Sequence, residues 1–286
     1  MFFVKPEWVT HGDCIYSIDL SATRVVTGGG DMKVRVWSFQ PMLADDDVGS
    51  SSNRLLATLS DHFGVVHVVR FSPDGKYIAS GSDDRLCIVY RLEPNGVVKQ
   101  TFGSTDLPPV ECWKVHQMLR GHSSDVTDLA WCPMNEFLAT CSIDNTVNVW
   151  KVPEEQHGGG PKPVWQLVAN LTAHRSPVKG ITWDPVGKFL ATQSDDKSVI
   201  IWRTQDWTEV KRVESHFEKC LGNSYALRLG WSPDGRSIAA THAFNNTKQC
   251  AVLLERAKWA GEVFVIGHKA PVVVVRWNPR LFRRPG

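Results

Sequence analysis

Short apolar runs of four to six residues, each ended by turn residues, recur along this chain. In the segment from His122 to Trp150 the runs VTDLAW, FLATCS and VNVW are separated by turns at Pro133 and at Asp144. Runs of this length, bounded by Pro, Asn and Asp, are typical of β-strands joined by tight turns. The pattern therefore predicts three short strands in this segment and an all-β fold.

The same segment is repeated along the chain. Histidines that open successive copies lie 51, 60, 52, 42 and 52 residues apart, close to the period of about 40–50 residues of a four-stranded propeller blade with insertions. The spacing predicts a β-propeller, as one domain over 1–286. Its repeats are 11–37, 62–90, 122–150, 174–202, a degenerate copy at 227–256 and a partial copy at 268–279.

Four of the copies carry the same set of polar residues in register. Each has a histidine at its start, a hydroxyl four residues before an aspartate, and an aromatic residue six positions after that aspartate. The four sets are His11, Thr27, Asp31 and Trp37; His62, Ser80, Asp84 and Tyr90; His122, Thr140, Asp144 and Trp150; His174, Thr192, Asp196 and Trp202.

Serine, histidine and aspartate together suggest a catalytic triad, but repetition argues against it. A nucleophile needs one exposed, strained position beside an oxyanion hole, whereas these sets recur in equivalent positions between bulky apolar residues. A buried carboxylate, imidazole and hydroxyl can satisfy one another. We predict four structural hydrogen-bond networks, no catalytic residue, no cofactor and no metal site.

The net charge and the cysteine content further limit the expected partners and the expected cellular compartment. The formal net charge of +2 is too small for nucleic-acid or membrane binding by bulk electrostatics, so a charged partner must meet a local patch. Seven cysteines never form a C-x-x-C pair, which favours a reducing, intracellular compartment. We expect no membrane segment, no signal peptide and no direct DNA binding.

The repeated set resembles the WD40 family, whose blades carry Gly-His, a turn aspartate and a Trp-Asp ending. Gly-His is present at 121–122 and 267–268, whereas the final Asp of the family ending is replaced throughout, for example by Lys151 and Arg203. The resemblance covers essentially the whole chain and implies a propeller.

Less common phrases narrow the resemblance. KPEWVTH at 5–11, CSIDNTVNVW at 141–150, the run from 178 through WRTQDW at 202–207, and HAFNN at 242–246 resemble the amino-terminal propeller of the HIRA/Hir histone-regulator family. The resemblance implies a nuclear scaffold subunit of a histone chaperone complex. Such a complex deposits H3–H4 independently of replication and affects transcription. The propeller would bind other subunits and reach histones directly or through them.

Two other classes stay open on the residues alone: a scaffold or substrate receptor of another complex such as a ubiquitin ligase, and a propeller hydrolase or lyase. Partner-binding candidates are exposed residues on the loops of one face, with two aromatic residues as anchors. They are Trp207, Phe244, Asn245, Asn246, Arg175 and Lys197, with Arg85, Ser123 and Asn145 beside them.

The implied family propeller has seven blades, whereas the repeats here make about five and the start of a sixth. We therefore expect an incomplete ring with uncovered sheet faces. A strand at 3–9 would pair with the last blade in a closed ring.

Overall fold

Twenty β-strands and no α-helix occur in the residues that the computed structural model describes, which are 9–39, 54–96, 110–153, 164–220, 224–246 and 248–278. The prediction of an all-β fold is confirmed. In this part of the chain no helix is long and apolar enough to cross a membrane.

The chain divides into two units, Met1–Gly121 and His122–Gly286. The first holds two four-stranded antiparallel sheets, in which strands follow one another in chain order. Their strands are β1 Ile15–Leu20, β2 Arg24–Gly29, β3 Val34–Ser38 and β4 Leu55–Leu59, then β5 Val66–Phe71, β6 Tyr77–Ser82, β7 Leu86–Leu92 and β8 Trp113–Arg120.

The second unit holds three sheets of the same kind. Their strands are β9 Val126–Trp131, β10 Phe137–Ser142, β11 Val147–Lys151 and β12 Gln166–Leu171; β13 Val178–Trp183, β14 Phe189–Ser194, β15 Ser198–Arg203 and β16 Glu209–Val213; and β17 Gly230–Trp231, β18 Ser237–Asn245, β19 Lys248–Glu255 and β20 Ala260–Ile266.

The fourth strand of each sheet extends beyond the sequence repeat. β9, β10 and β11 run where the pattern predicts three strands, but β12 lies after an insertion and is largely exposed. An outer strand with solvent on most of its side chains loses the apolar pattern that marks inner strands. The copy at 227–256 belongs to a complete sheet that ends with β20.

Neighbouring sheets within a unit are joined at their first strands. In the first unit the backbone N–H of Phe71 donates to Asp19 at 2.9 Å and that of Val69 to Ser17 at 3.1 Å. In the second, the indole N–H of Trp183 donates to the carbonyl oxygen of Ala130 at 2.9 Å. The side chains of Ser17 and Asp19 thus satisfy backbone N–H groups on the edge of β5 that does not pair with β6, and Trp183 adds a hydrogen bond between two sheets of the second unit.

Gly180 in β13 lies against the chain that enters β17 of the next sheet. A Cβ atom there would lie 1.8 Å from the carbonyl oxygen of Leu227, so only glycine permits the approach.

The partial copy at 268–279 is described as far as Asn278. The backbone N–H of Val275 donates to Arg228 at 3.0 Å, and that of Arg228 donates to Val273 at 2.9 Å. The segment therefore lies alongside the chain that enters β17. The strand predicted at 3–9 falls mostly on residues 1–8, which lie outside the described part; Val9 is buried with Val25 and Trp37.

Candidate functional site

Each of the four polar sets is assembled at one end of its sheet, which we call the network end. The histidine Nδ1 lies against the aspartate and Nε2 against the hydroxyl of the same set. The Nδ1 to carboxylate distances are 2.7 Å for His11, 2.7 Å for His62, 3.1 Å for His122 and 2.8 Å for His174. The Nε2 to hydroxyl distances are 2.8 Å to Thr27, 2.6 Å to Ser80, 2.9 Å to Thr140 and 2.8 Å to Thr192.

Tryptophan adds a further donor to three of the networks. The indole N–H donates to the threonine hydroxyl at 2.8 Å from Trp37, 3.1 Å from Trp150 and 2.9 Å from Trp202. In the second copy Tyr90 occupies this position and is fully buried. Burial raises the pKa of its phenol.

The order of donors follows from the chemistry of the groups. Indole can only donate, so threonine accepts from it and can donate its own proton to Nε2. The histidine Nδ1–H can then donate to the carboxylate, so that every group of the network has a partner.

The carboxylates stay ionised in this environment. Burial alone would raise the pKa of Asp144. The hydrogen bonds from His122, from the Thr146 hydroxyl and from the Ser123 backbone outweigh burial and hold that pKa well below its ordinary value of 3.8. The pKa values of Asp31, Asp84 and Asp196 are lowered in the same way, against burial, first by the hydrogen bond from their histidine.

The networks also hold the backbone of the neighbouring surface residues in a fixed position. The residue after each histidine donates its backbone N–H to the aspartate, and the residue after each aspartate has a left-handed backbone. The first group is Gly12, Phe63, Ser123 and Arg175, at 3.0, 3.1, 2.8 and 3.0 Å. The second is Met32, Arg85, Asn145 and Lys197, with φ between 62° and 70°.

The geometry of these networks is better suited to a structural role than to catalysis. The Thr192 hydroxyl is buried and shared between His174, the Trp202 indole and the carbonyl oxygen of Ile200. A hydroxyl held by three protein groups cannot reach a substrate. The four networks are therefore best suited to hold the turns that present surface residues.

Most of the partner-binding candidates lie at the network end of the second unit. Arg175 and Lys197 are exposed and flank Asp196. The ammonium of Lys197 donates to the carbonyl oxygen of Glu218 at 2.8 Å, and the backbone N–H of Phe244 donates to His216 at 3.1 Å. The segment 214–220 thus connects the Lys197 turn with β18.

The three candidates at 244–246 differ in exposure. Phe244 and Asn245 are half-buried at the end of β18, and Asn246 is exposed with φ of 43°. Asn245 pairs with Lys248 across the hairpin.

Trp207 does not lie on this surface, so its placement there among the exposed candidates is wrong, while its role in partner binding stays a prediction. It lies in the connection after β15, whereas Lys197 lies just before β15, so the two are at opposite ends of the strand. The Trp207 ring is half-buried and packs edge-on against Phe137 and Trp183, with centroids 5.5 and 6.1 Å away. The spacing of the repeat indicated the position of Trp207 along the sequence, but it did not indicate which aromatic side chains Trp207 packs against.

Several surface residues were missed by sequence reasoning. Phe63 is 86% exposed, and Lys219, Lys248 and Lys269 are exposed at the network end of the second unit. Phe63 is detectable because it directly follows a network histidine. The lysines lie in connections between strands, and only the strand register shows that these connections are at the network end.

Comparisons with known proteins identify the family to which this architecture belongs. Residues 1–216 match the family described as the CAF1B/HIR1 beta-propeller domain. The chain belongs to this family. The predicted β-propeller and the resemblance to the Hir histone regulators are both confirmed, and the four sheets within residues 1–216 are blades of the family's propeller.

Three curated relatives match over 99% of the chain. Protein HIR1 of Cryptococcus neoformans is 39% identical, Protein HIR1 of Gibberella zeae 37% and Protein hir-1 of Neurospora crassa 36%. The chain covers 32%, 28% and 28% of their respective lengths, so it spans about a third of these relatives or less. Its family is thus that of a histone-regulator WD40 scaffold.

Proposed function

We propose that this chain is the propeller scaffold of a nuclear histone chaperone complex. It binds other subunits of the complex and supports replication-independent deposition of H3–H4, nucleosome assembly and transcription regulation. It acts by protein–protein binding and not as an enzyme. The observation that carries the proposal is the match to the CAF1B/HIR1 propeller over residues 1–216, together with curated HIR1 relatives over 99% of the chain.

The geometry of the networks supports a binding role. Rigid sheets that hold loop residues at fixed positions are suited to partner recognition. At the network end of the second unit, Arg175 and Lys197 are exposed on loops whose backbones are tied to Asp196. Side chains presented on a fixed backbone lose less entropy on binding.

Affinity purification tests this proposal. The tagged 286-residue chain is captured from nuclear extract, and the proteins retained are identified and quantified. Recovery of histone chaperone subunits supports it, with H3 and H4 present directly or through those subunits. Recovery of ubiquitin-ligase subunits in their place would assign the chain to the other class of scaffold and overturn it.

A surface variant localises the interaction. Arg175→Ala combined with Phe244→Ala should reduce recovery of the subunits, while Lys151→Ala at the opposite end of the second unit should not. The melting temperature of each variant shows whether a loss of recovery arises from the surface or from unfolding.

A further inference from the structure

A set of cations gathers at the network end of the second unit. Five exposed basic residues lie in or beside five of the connections at this end, one in each, whereas the segment before β9 and the turn between β10 and β11 carry no Lys or Arg. The five are Arg175 before β13, Lys197 between β14 and β15, Lys219 after β16, Lys248 at the start of β19 and Lys269 after β20. Exposed carboxylates in the same described connections are those of Glu214 and Glu218.

These cations lie on one connected surface. Lys197 contacts the carbonyl oxygen of Glu218, the residue before Lys219. His216 of the same segment accepts from Phe244, and Asn245 pairs with Lys248. The backbone N–H of His242 donates to Val272, three residues beyond Lys269. These contacts, joined by short stretches of chain, link the segments that carry Lys197, Lys219, Lys248 and Lys269, and the backbone N–H of Arg175 donates to Asp196, the residue before Lys197.

The positive charge of these residues is not paired with a carboxylate in the described part of the unit. None of the five cations lies within ion-pair distance of a carboxylate in the residues that the structure describes. The acidic groups beneath them are already paired, Asp195 with Lys179 at 2.5 Å and Asp196 with His174 and Arg212 at 2.8 and 3.7 Å. The excess positive charge faces solvent, where it raises the local concentration of an anionic partner.

We infer that the network end of the second unit binds an acidic polypeptide segment. The inference rests on the proposed function and gives the chemistry of a partner at the same surface. A polypeptide is favoured over nucleic acid because the cations are spread over separate connections with Glu214 and Glu218 among them, and because the whole chain carries a net charge of only +2. Nucleic-acid binding needs several phosphates neutralised together.

Lys197 is suited to lead this contact. Its left-handed backbone, φ 64°, is fixed by the turn that Asp196 holds, and its ammonium already lies over the segment that carries Lys219. An acidic side chain placed between Lys197 and Arg175 would meet two cations whose backbones are fixed before binding.

The test uses the full chain and a fluorescein-labelled, glutamate-rich peptide of about 20 residues. Anisotropy is measured at roughly 50 and 300 mM salt, with a duplex DNA of similar charge and a lysine-rich peptide as comparison probes. We expect the acidic peptide to bind, to weaken at the higher salt and to bind more tightly than DNA. Absence of binding at low salt, or tighter binding of DNA, would overturn the inference.

Matched charge reversals identify the surface. Arg175→Glu with Lys197→Glu should weaken binding of the acidic peptide by about tenfold or more, because each change replaces an attraction by a repulsion. Lys151→Glu with Lys188→Glu, two exposed cations at the opposite end of the same unit, should leave it within about twofold. Equal losses for both pairs would contradict a local site. If the reversal impairs folding, Arg175→Gln with Lys197→Gln should give a smaller loss of the same sign.

Failure of this inference is distinct from failure of the proposed function. Unchanged peptide binding by the Arg175 and Lys197 variant, with chaperone subunits still recovered from extract, would leave the scaffold role intact and remove the acidic segment from this surface.

Discussion

The indole N–H of Trp277 donates to the carbonyl oxygen of Gly230 at 2.9 Å. Trp183 makes the same bond to Ala130 at the same distance, two blades earlier in the chain. The segment that contains Trp277 therefore lies as the first strand of a further blade would lie. Trp277→Phe should lower the free energy of unfolding by about 0.5–1.5 kcal/mol, the net contribution of one hydrogen bond, because it removes the indole donor. Urea denaturation followed by circular dichroism measures this, with exposed Lys269→Ala as control. Identical midpoints for both variants would show that the bond contributes no stability.

Removing a network carboxylate should destabilise the second unit. Asp144 accepts from the His122 ring, from the backbones of Ser123 and Thr146 and from the Thr146 hydroxyl. Asp144→Ala leaves these donors without their acceptor, at a cost of about 1–3 kcal/mol for each group that water cannot reach.

The control for that experiment is Arg85→Gly, at the equivalent position after Asp84. Arg85 is exposed and has φ of 68°, so alanine there would itself be strained, whereas glycine accepts this backbone. Thermal melts should show a clear loss for Asp144→Ala and little change for Arg85→Gly. Equal melting temperatures would contradict a structural network.

The networks should make stability dependent on acid pH. The folded-state pKa values of Asp31, Asp84, Asp144 and Asp196 lie below the ordinary 3.8, so protonation favours the unfolded chain. Their stabilisation is complete above that ordinary value and is lost as the pH falls from it towards the lower folded-state pKa values.

Urea midpoints measured between roughly pH 6 and 2.5 test this dependence. Asp196→Asn should flatten the decline below about pH 4, since one of the groups that titrates on unfolding is removed. Glu218→Gln, which removes an exposed carboxylate from the same end, controls for loss of charge. A decline of the same steepness in Asp196→Asn and the unaltered chain would refute the assignment.

Gly180 should tolerate no side chain. The carbonyl oxygen of Leu227 lies where a Cβ atom would be built, so Gly180→Ala forces two blades apart and should cost about 1–3 kcal/mol. Gly12→Ala is the control because its nearest neighbours lie at an ordinary 3.5 Å. Comparable stability of the two variants would mean that the blades relax without cost.

Trp207 should act through packing. Trp207→Ala removes edge-on contacts with Phe137 and Trp183 and should cost about 2–4 kcal/mol, somewhat less than a fully buried tryptophan. Below its melting temperature the variant should recover the same partners from extract. Normal stability with lost recovery would return Trp207 to the binding surface.

The sequence alone was sufficient to predict the strands in which the pattern of buried residues and turn residues repeats from copy to copy. β9, β10 and β11 were predictable because buried residues occupy them and Pro133 and Asp144 end them, and the recurring His and Asp indicated which side chains meet. The outer strand β12 was not predictable, since most of its side chains face solvent and an insertion separates it from β11.

The candidate surface was only partly predictable for a related reason. Arg175 and Lys197 sit next to network residues, so the repeat itself locates them. Lys248 and Lys269 depend on the register of β18 with β19 and β19 with β20, which strand propensity does not encode. Trp207 was misplaced because its partners come from β10 and β13, distant in the chain.

Each turn aspartate accepts the main-chain N–H of the residue that follows its histidine, and the side chain of that residue takes no part in this bond. The same bond is made whether the neighbour is glycine, phenylalanine, serine or arginine. Each such position can therefore change its chemistry without altering the scaffold beneath it. A protein built this way can acquire a new binding specificity by point substitution at these few sites, because the residues that specify its fold are unchanged. The same sites are suited to the grafting of designed binding residues.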